Sequence, residues 1–265
     1  MATNQKYALI TGATSGIGYE LAKLFAKDQY NLVIVARNTE ELEKASNEFK
    51  QSGVEVITIS KDLFKVEAPF EIYDEIKSKG IQIDVLVNDA GQGQYGLFAE
   101  TDINRELDII QLNIGATISL TKCFLPEMIA RKEGKILNLS SIAGKTPGPY
   151  QSVYHGTKAF IQSFTEAIRS ENKDNGVTIT ALLPGATETD FFNKADMNDS
   201  KIVQGGGMAT AADVAKDGYD ALMSGDDMVI SGFKNKAMIG MTNLTPDHLV
   251  ADMMKKQQEP VDKDK

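Results

Sequence analysis

Tyr154 and Lys158 stand four residues apart in a helix-patterned stretch, which puts a weak acid and a cation on one face. A free phenol has a pKa of about 10 and is a poor base at neutral pH. An adjacent positive charge favours the phenolate and draws that value down, so the pair could pass a proton to or from a substrate oxygen. On an exposed helix the same spacing gives only two solvated side chains, so the pair does not decide alone. Ser141, thirteen residues before Tyr154, offers a hydroxyl able to hydrogen-bond a reacting oxygen.

A second chemical signal lies near the start, in Thr11-Gly12-Ala13-Thr14-Ser15-Gly16-Ile17-Gly18. Gly12 lets an incoming strand turn sharply, and Gly16 removes a Cβ where a phosphate would approach the backbone. Gly18 allows the following helix to pack close to a sheet. Free N–H groups and the positive helix end then face a pyrophosphate, with Thr14, Ser15 and Ile17 completing the cradle. The spacing is Gly-x3-Gly-x-Gly, and its place at the first strand–helix junction points to a dinucleotide. A site for NAD would carry Asp or Glu about 20 residues on, to bond a ribose hydroxyl. Ala36 stands there instead, followed by Arg37 and Asn38. Arg37 could pair with a 2′-phosphate through its forked donors, so NADP(H) is expected. Ser15, immediately before Gly16, supplies no second cation.

These groups need a scaffold that brings strand ends together. Apolar runs at 7–11 and 31–36 read as strands buried on both faces, and further runs recur at 54–60, 84–88, 135–140, 177–183 and 228–231. Helical patterns lie between them, from Ser15 and at 42–49, 69–79, 104–131, 152–174 and 211–224. Gly53 is placed to cap the second. Such alternation implies an α/β fold, a doubly wound parallel sheet of Rossmann type in a single domain over 1–265. Ligands of that architecture sit beyond the carboxyl ends of the strands. The segments available there are 92–97, 143–151 and an apolar lid at about 186–207, carrying Phe191, Phe192 and Met197 before Gly205-Gly206-Gly207. Tyr95 and Tyr150 add to an apolar pocket. Thr245-Pro246 suggests an N-cap and first-turn proline for a helix over about 245–256, with Leu249, Val250, Met253 and Met254 on one face. From about residue 257 the chain reads as frayed.

Composition narrows the classes further. The 265 residues are 42% hydrophobic and 25% charged with a net charge of −9, and no basic cluster suggests a nucleic-acid partner. One cysteine, Cys123, excludes an internal disulfide and reads as helix packing in a reducing, cytoplasmic setting. Two histidines leave little for a transition metal, and no metal is expected. No signal peptide or apolar run long enough to span a bilayer is evident.

Further motifs stand at strand ends: Asn88-Asp89-Ala90-Gly91, Ser141 in Asn-Leu-Ser-Ser, Tyr154-His-Gly-Thr-Lys158, and Pro184-Gly185 followed by Thr187 and Thr189. With the glycine turn, in this order and spacing, the chain resembles the short-chain dehydrogenase/reductase family over about residues 5–235. It is most similar to the bacterial broad short-chain reductases that themselves resemble hydroxysteroid and retinol dehydrogenases. The resemblance implies hydride transfer between NADP(H) and a carbonyl or alcohol substrate, the cofactor supplying the redox chemistry and the protein a proton. It makes Tyr154 the acid/base, Lys158 and Ser141 its partners and Asn113 the fourth catalytic residue. It assigns cofactor contacts to Asp62, Leu63, Asn88, Ala90, Gly91, Tyr154, Lys158, Pro184, Gly185, Thr187 and Thr189. Asp89 departs from the family's second Asn. The resemblance also implies a homodimer or homotetramer built on the helices around Asn113 and Tyr154.

Two other readings stay open: a non-catalytic NADP(H)-binding sensor, which would lose the Tyr/Lys pair, and an epimerase or dehydratase, which would carry a larger C-terminal region. His155 reads as a surface residue, since it points away from Tyr154. Met238, Met241, Met253 and Met254 read as core or subunit contact rather than a hydrophobic entrance.

Overall fold

The structure is a computed structural model and describes residues 5–242 and 244–261. The chain begins with β1 (Tyr7–Thr11), α1 (Gly16–Lys27), β2 (Asn31–Ala36), α2 (Thr39–Phe49), β3 (Val56–Ser60), α3 (Ala68–Ser78) and β4 (Val85–Asn88). It continues through α4 (Ile103–Ile110), α5 (Ala116–Arg131), β5 (Gly134–Leu139), α6 (Ser152–Asn172) and β6 (Val177–Leu183). β7 (Thr187–Glu188), α7 (Phe191–Lys194), α8 (Lys201–Gln204) and β8 (Ala209–Thr210) follow, then α9 (Ala211–Ser224), β9 (Met228–Ile230), α10 (Phe233–Thr242) and α11 (Asp247–Gln258). Seven strands form one parallel sheet in the order β3-β2-β1-β4-β5-β6-β9. The order reverses direction between β1 and β4, which opens a crevice at their carboxyl ends.

Strand side chains alternate between the two faces, so one apolar run feeds two cores. Ala8, Ile10, Leu32 and Ile34 pack with Leu21 and Phe25 of α1 and Val214 and Leu222 of α9. Leu9, Val33, Val35 and Leu86 pack on the other face with Ile72 and Ile76 of α3 and Leu120 and Phe124 of α5. This two-sided burial explains why β2 reads Asn-Leu-Val-Ile-Val-Ala without polar alternation. Gly53 adopts the left-handed conformation expected of it, closing a short 3-10 turn after α2.

The expected continuous helix over 104–131 is interrupted. Gln111–Gly115 forms a π turn between α4 and α5, and the Thr117 hydroxyl donates to the Asn113 carbonyl at 3.0 Å inside it. The wider turn offsets the following helix and brings Asn113 inward.

The C-terminal expectations need three corrections. Pro246, not Thr245, holds the N-cap position of α11, and the Thr245 hydroxyl donates to the Met241 carbonyl. The four expected apolar residues do not share one environment: Val250 and Met254 are buried, Leu249 and Met253 exposed. Residues from 257 are not frayed as far as they are described, since Gln258 is buried and Ser200 bridges Pro260. Residues 262–265 lie outside the described residues.

Close helix–strand packing at the first turn rests on one missing Cβ. A Cβ at Gly18 would stand 2.7 Å from the Gly12 carbonyl oxygen and collide with the Asp89 carboxylate. Gly18→Ala should therefore destabilise the fold by about 1–3 kcal/mol through overpacking. Urea unfolding of the two proteins checks this, and an unchanged midpoint would refute the packing argument.

Candidate active site

At the carboxyl ends of the strands lies a cavity of about 810 Å³. Its first wall is the glycine turn, where Gly12 (φ 73°) and Gly16 (φ 61°) occupy the left-handed region that costs glycine least. Ser15 stands at the N-cap of α1 yet makes no side-chain cap bond, so the helix start faces the cavity uncapped by its own side chain. Thr14, Ser15, Gly16 and Ile17 line this wall together with Ala90 and Gly91 from the end of β4 and Gly185, Thr187 and Thr189 beyond β6. A Cβ at Gly16 would lie 3.0 Å from Thr189, so the turn and the β6 loop approach closely only because that residue is glycine. Such a backbone-lined cradle at a helix start fits a pyrophosphate.

Four expected site residues support the wall from behind rather than lining it. Gly18 packs against Gly12, while Asn88 donates to Asn138 at 2.8 Å and to Thr121 at 3.2 Å across the sheet. The Pro184 carbonyl accepts from the Ile142 N–H at 2.9 Å and from the Ser141 hydroxyl at 3.2 Å. Asn113 is buried, receives the Gln92 N–H and donates to the Gln92 carbonyl and the Thr157 hydroxyl, each within 2.9–3.0 Å. Thr157 in turn donates to the Tyr154 carbonyl at 2.7 Å, so the π turn is tied to α6 one residue before Lys158.

Ser141, Tyr154 and Lys158 come together on the cavity wall. Ser141 opens the loop after β5 and accepts the Ala143 N–H at 3.1 Å. Lys158 is buried, its ammonium donating to the Leu139 carbonyl at 2.8 Å and lying 5.7 Å from the Tyr154 ring centroid. Burial pulls the Lys158 pKa down to about 8, partly opposed by the Asp89 carboxylate. Burial also pushes Tyr154 up to about 12, with the Ser141 hydrogen bond acting the other way. Desolvation is the largest influence on the phenol, and the expected lowering joins the charge of an oxidised nicotinamide to that of Lys158.

At the far end the cavity is lined by Ala36, Arg37, Asn38, Asp62 and Leu63. The Arg37 guanidinium rests over the Phe64 ring at 5.0 Å and stands 4.0 Å from the Asp62 carboxylate. An acid thus does share Arg37, one strand over from where sequence spacing looks for it. Asp62 also accepts the Phe64 N–H at 3.3 Å. Asn38 has a further duty that its sequence context signalled only as Asn before a helix: it caps α2, accepting the Glu40 and Glu41 N–H groups. Lys61, overlooked in the sequence, lines the same end and bonds to Glu71 at 2.6 Å. Its only signal was adjacency to Asp62.

Beyond Tyr154 the wall carries Phe191, Phe192, Met197, Ile202, Met238 and Met254, with Asp190, Lys194, Asn235 and Gln257 among them. The Phe191 ring packs on Tyr154 at 4.9 Å. Met238 and Met254 therefore face the cavity, while Met241 is exposed along with Met253. Tyr95 and Tyr150 are not on the wall; they stack on each other at 5.5 Å, and the Tyr95 hydroxyl donates to the Gln258 carbonyl. His155 is not at the surface either. It is buried on the wall, its Nδ1 2.8 Å from the Thr146 carbonyl and its Nε2 3.1 Å from the Gln258 amide. Burial holds its pKa below the usual value. Cys123 is half-buried beside the α3–α5 core, and burial raises its pKa. Among the described residues no helix is long and apolar enough to cross a membrane, and no cluster of three His, Cys, Asp or Glu could hold a metal.

Comparison with known proteins extends this picture. Residues 6–200 match the short chain dehydrogenase family. Mouse dehydrogenase/reductase SDR family member 7B is 30% identical over 90% of this chain and 77% of that protein. Rat very-long-chain 3-oxoacyl-CoA reductase is 35% identical over 68% of this chain, which spans only 58% of that protein. Among solved structures, a short-chain dehydrogenase from Sphingobium yanoikuyae in complex with NADPH superposes with a TM-score of 0.82 and 25% identity, covering 97% of this chain and 99% of that one. An alcohol dehydrogenase from Thermococcus sibiricus complexed with 5-hydroxy-NADP gives 0.75 and 26%, covering 86% and 96%. This chain belongs to the short-chain dehydrogenase/reductase family, oxidoreductases that act on CH–OH and C=O groups with a nicotinamide cofactor.

Proposed function

We propose that this protein is an NADP(H)-dependent oxidoreductase for an apolar carbonyl or alcohol, with Tyr154 as its proton-transfer residue. The observation that carries the reading is one continuous cavity with Arg37 and Lys61 at one end, Ser141, Tyr154 and Lys158 together on its wall, and Phe191, Phe192 and Met197 beyond them. The glycine cradle fits the cofactor's pyrophosphate, Arg37 and Lys61 would pair with a 2′-phosphate, and the bound cofactor would supply or accept the hydride. Ser141 hydrogen-bonds the substrate oxygen. Tyr154 gives its phenolic proton to that oxygen as it gains charge, or takes one in the reverse direction. Lys158 keeps the phenolate favourable once it forms, and Asn113 holds the Gln92 loop and α6 in register. Retention of all four side chains in this arrangement favours an enzyme over a sensor.

An apolar substrate is supported by the Phe191, Phe192, Met197 and Met254 wall, and by relatives whose names include very-long-chain 3-oxoacyl-CoA reductase. Residues 186–207 serve as the lid: β7 and β8 pair at its base, and Gly206 and Gly207 adopt positive φ at its far end. α11 rides on this lid, with Lys201 bonded to Glu259 at 2.9 Å. Exposed Leu107 and Ile110 on α4 and Phe160 on α6 support a homo-oligomer. The free Cys123 supports a reducing, cytoplasmic location.

Tyr154→Phe should leave cofactor binding intact and lower turnover by about 100-fold or more. Stopped-flow or steady-state assays on a panel of apolar ketones with NADPH test it; near-normal turnover sinks the assignment. Replacing Ala36 by Asp and Arg37 by Ala together should weaken NADPH by about 10- to 100-fold, the loss of one charge-assisted phosphate pair, and improve NADH. Fluorescence titration decides this, and tighter NADH than NADPH binding in the unaltered protein refutes the preference. Deleting residues from 245 onward should raise the substrate KM by about tenfold while changing kcat less, because α11 contributes binding surface rather than reacting groups. If KM and the light-scattering mass are both unaltered, α11 has no part in the site or in assembly.

A further inference from the structure

Asp89 is an acid packed against the glycine turn that the proposed pyrophosphate would meet. It follows β4, and its carboxylate reaches across to the glycine turn. A Cβ added to Gly12 would lie 2.9 Å from that carboxylate, and one added to Gly18 would overlap it. The backbone of Gly18, in the first turn of α1, faces it closely and favours its ionised form. Its own backbone N–H donates to the Thr11 hydroxyl at 3.1 Å, as does that of Ala90, which locks the residue between β1 and β4. Asp89 thus takes up part of the positive end of α1, which also faces the pyrophosphate cradle, and it borders the same cavity.

The surroundings supply little to hold it ionised. Lys158, from α6, is the charged side chain that acts on it, and α1 contributes the Gly18 backbone; β1 presents only the neutral Thr11 hydroxyl. Lys158 is committed to the Leu139 carbonyl. Burial pushes the Asp89 carboxyl up to about 7, against the pull of Lys158 and the Gly18 backbone.

We propose that Asp89 is the residue that couples cofactor binding to pH: it takes up a proton as the anionic dinucleotide docks against the glycine turn. The inference rests on the proposed NADP(H) site. Its sign follows from charge. A pyrophosphate beside the carboxylate disfavours the ionised form, so the bound-state pKa lies above the free-state value. The neutral form predominates, and binding is strongest, below the free-state value. As pH rises through that value, docking requires proton uptake, and affinity falls until the bound-state value is passed. An Asn at this position keeps the shape and the neutral charge at every pH, and removes the coupling.

The test is NADPH binding to the unaltered protein and to Asp89→Asn, titrated by fluorescence between pH 6 and 9, with infrared difference spectra of the same complexes. In the unaltered protein the dissociation constant should rise with pH above 7, at a slope of up to about tenfold per unit, the limit for one proton. Asp89→Asn should show a flatter slope; protonation of the cofactor's own 2′-phosphate contributes to both proteins, and because Lys158 titrates near this range and feels Asp89, the infrared band assigns the proton to the carboxyl. On binding, the infrared spectrum should gain the carbonyl band of a protonated carboxylic acid in the unaltered protein and not in the variant. Absence of that band, or equal slopes, overturns the proposal. Should Asp89→Asn fail to fold, Asp89→Ser takes its place: the band must be absent from its complex as well, and its presence there overturns the assignment. Failure of the unaltered protein to bind NADPH at any pH is a different result, and it overturns the NADP(H) reading itself.

Discussion

The hydrogen bond from the Lys158 ammonium to the Leu139 carbonyl is the contact on which the site's geometry depends. A buried ammonium is costly unless its donors are satisfied, so this bond holds the side chain in one place. It also ties α6 to the carboxyl end of β5. The Ser140 hydroxyl donates back to the Lys158 carbonyl at 2.7 Å, which makes the tie reciprocal. Gly144 must be small for the same reason: a Cβ there would lie 2.7 Å from the Lys158 backbone. With α6 pressed this closely on the β5 loop, Tyr154 and Ser141 are brought to the same part of the cavity wall.

Around that clamp each supporting element contributes a contact between backbone and a polar side chain. Asn113 uses its amide to span the Gln92 carbonyl and Thr157, and the π turn that carries it displaces the helix without losing the contacts of α5 with α3. Asn88, Asn138, Thr121 and Thr165 form a buried chain across β4, β5 and their covering helices. These polar groups do not line the cavity, yet they fix the strand ends from which the loops spring. Buried networks of this kind favour one arrangement because any alternative leaves donors unpaired.

How much of this was legible in the sequence differs by residue for physical reasons. β2 was readable from its own composition, because both faces of a central strand are buried. The Gly12–Gly18 turn was readable because its chemistry is local. The interruption at Gln111–Gly115 was not, since a π turn uses the same side chains as an α-helix and differs only in which carbonyl each N–H meets. His155 was misread because helix geometry places it away from Tyr154, and that says nothing of what covers it. Its cover is Gln258, 103 residues further on. Likewise, the acid that shares Arg37 comes from the end of β3, adjacent in the sheet and distant in the chain. Local chemistry was visible; pairings made by the sheet and by the returning C-terminus were not.

His155 also shows how a backbone atom can orient a side chain two links away. The Thr146 carbonyl can only accept, so the Nδ1 facing it at 2.8 Å carries the proton. Burial keeps the ring neutral, which leaves Nε2 as an acceptor. The Gln258 group facing Nε2 must therefore be the amide nitrogen, and its oxygen is turned the other way. Gly148 fits beneath the ring only because it has no side chain. Gln258 is held by its carbonyl as well, through the Tyr95 hydroxyl, and Tyr95 is stacked on Tyr150. The end of α11 is thereby fastened to the helix that bears Tyr154 and to two cavity loops. Gln258, itself on the cavity wall, consequently acts there both directly and through the residue next to Tyr154, although it is remote from Tyr154 in sequence.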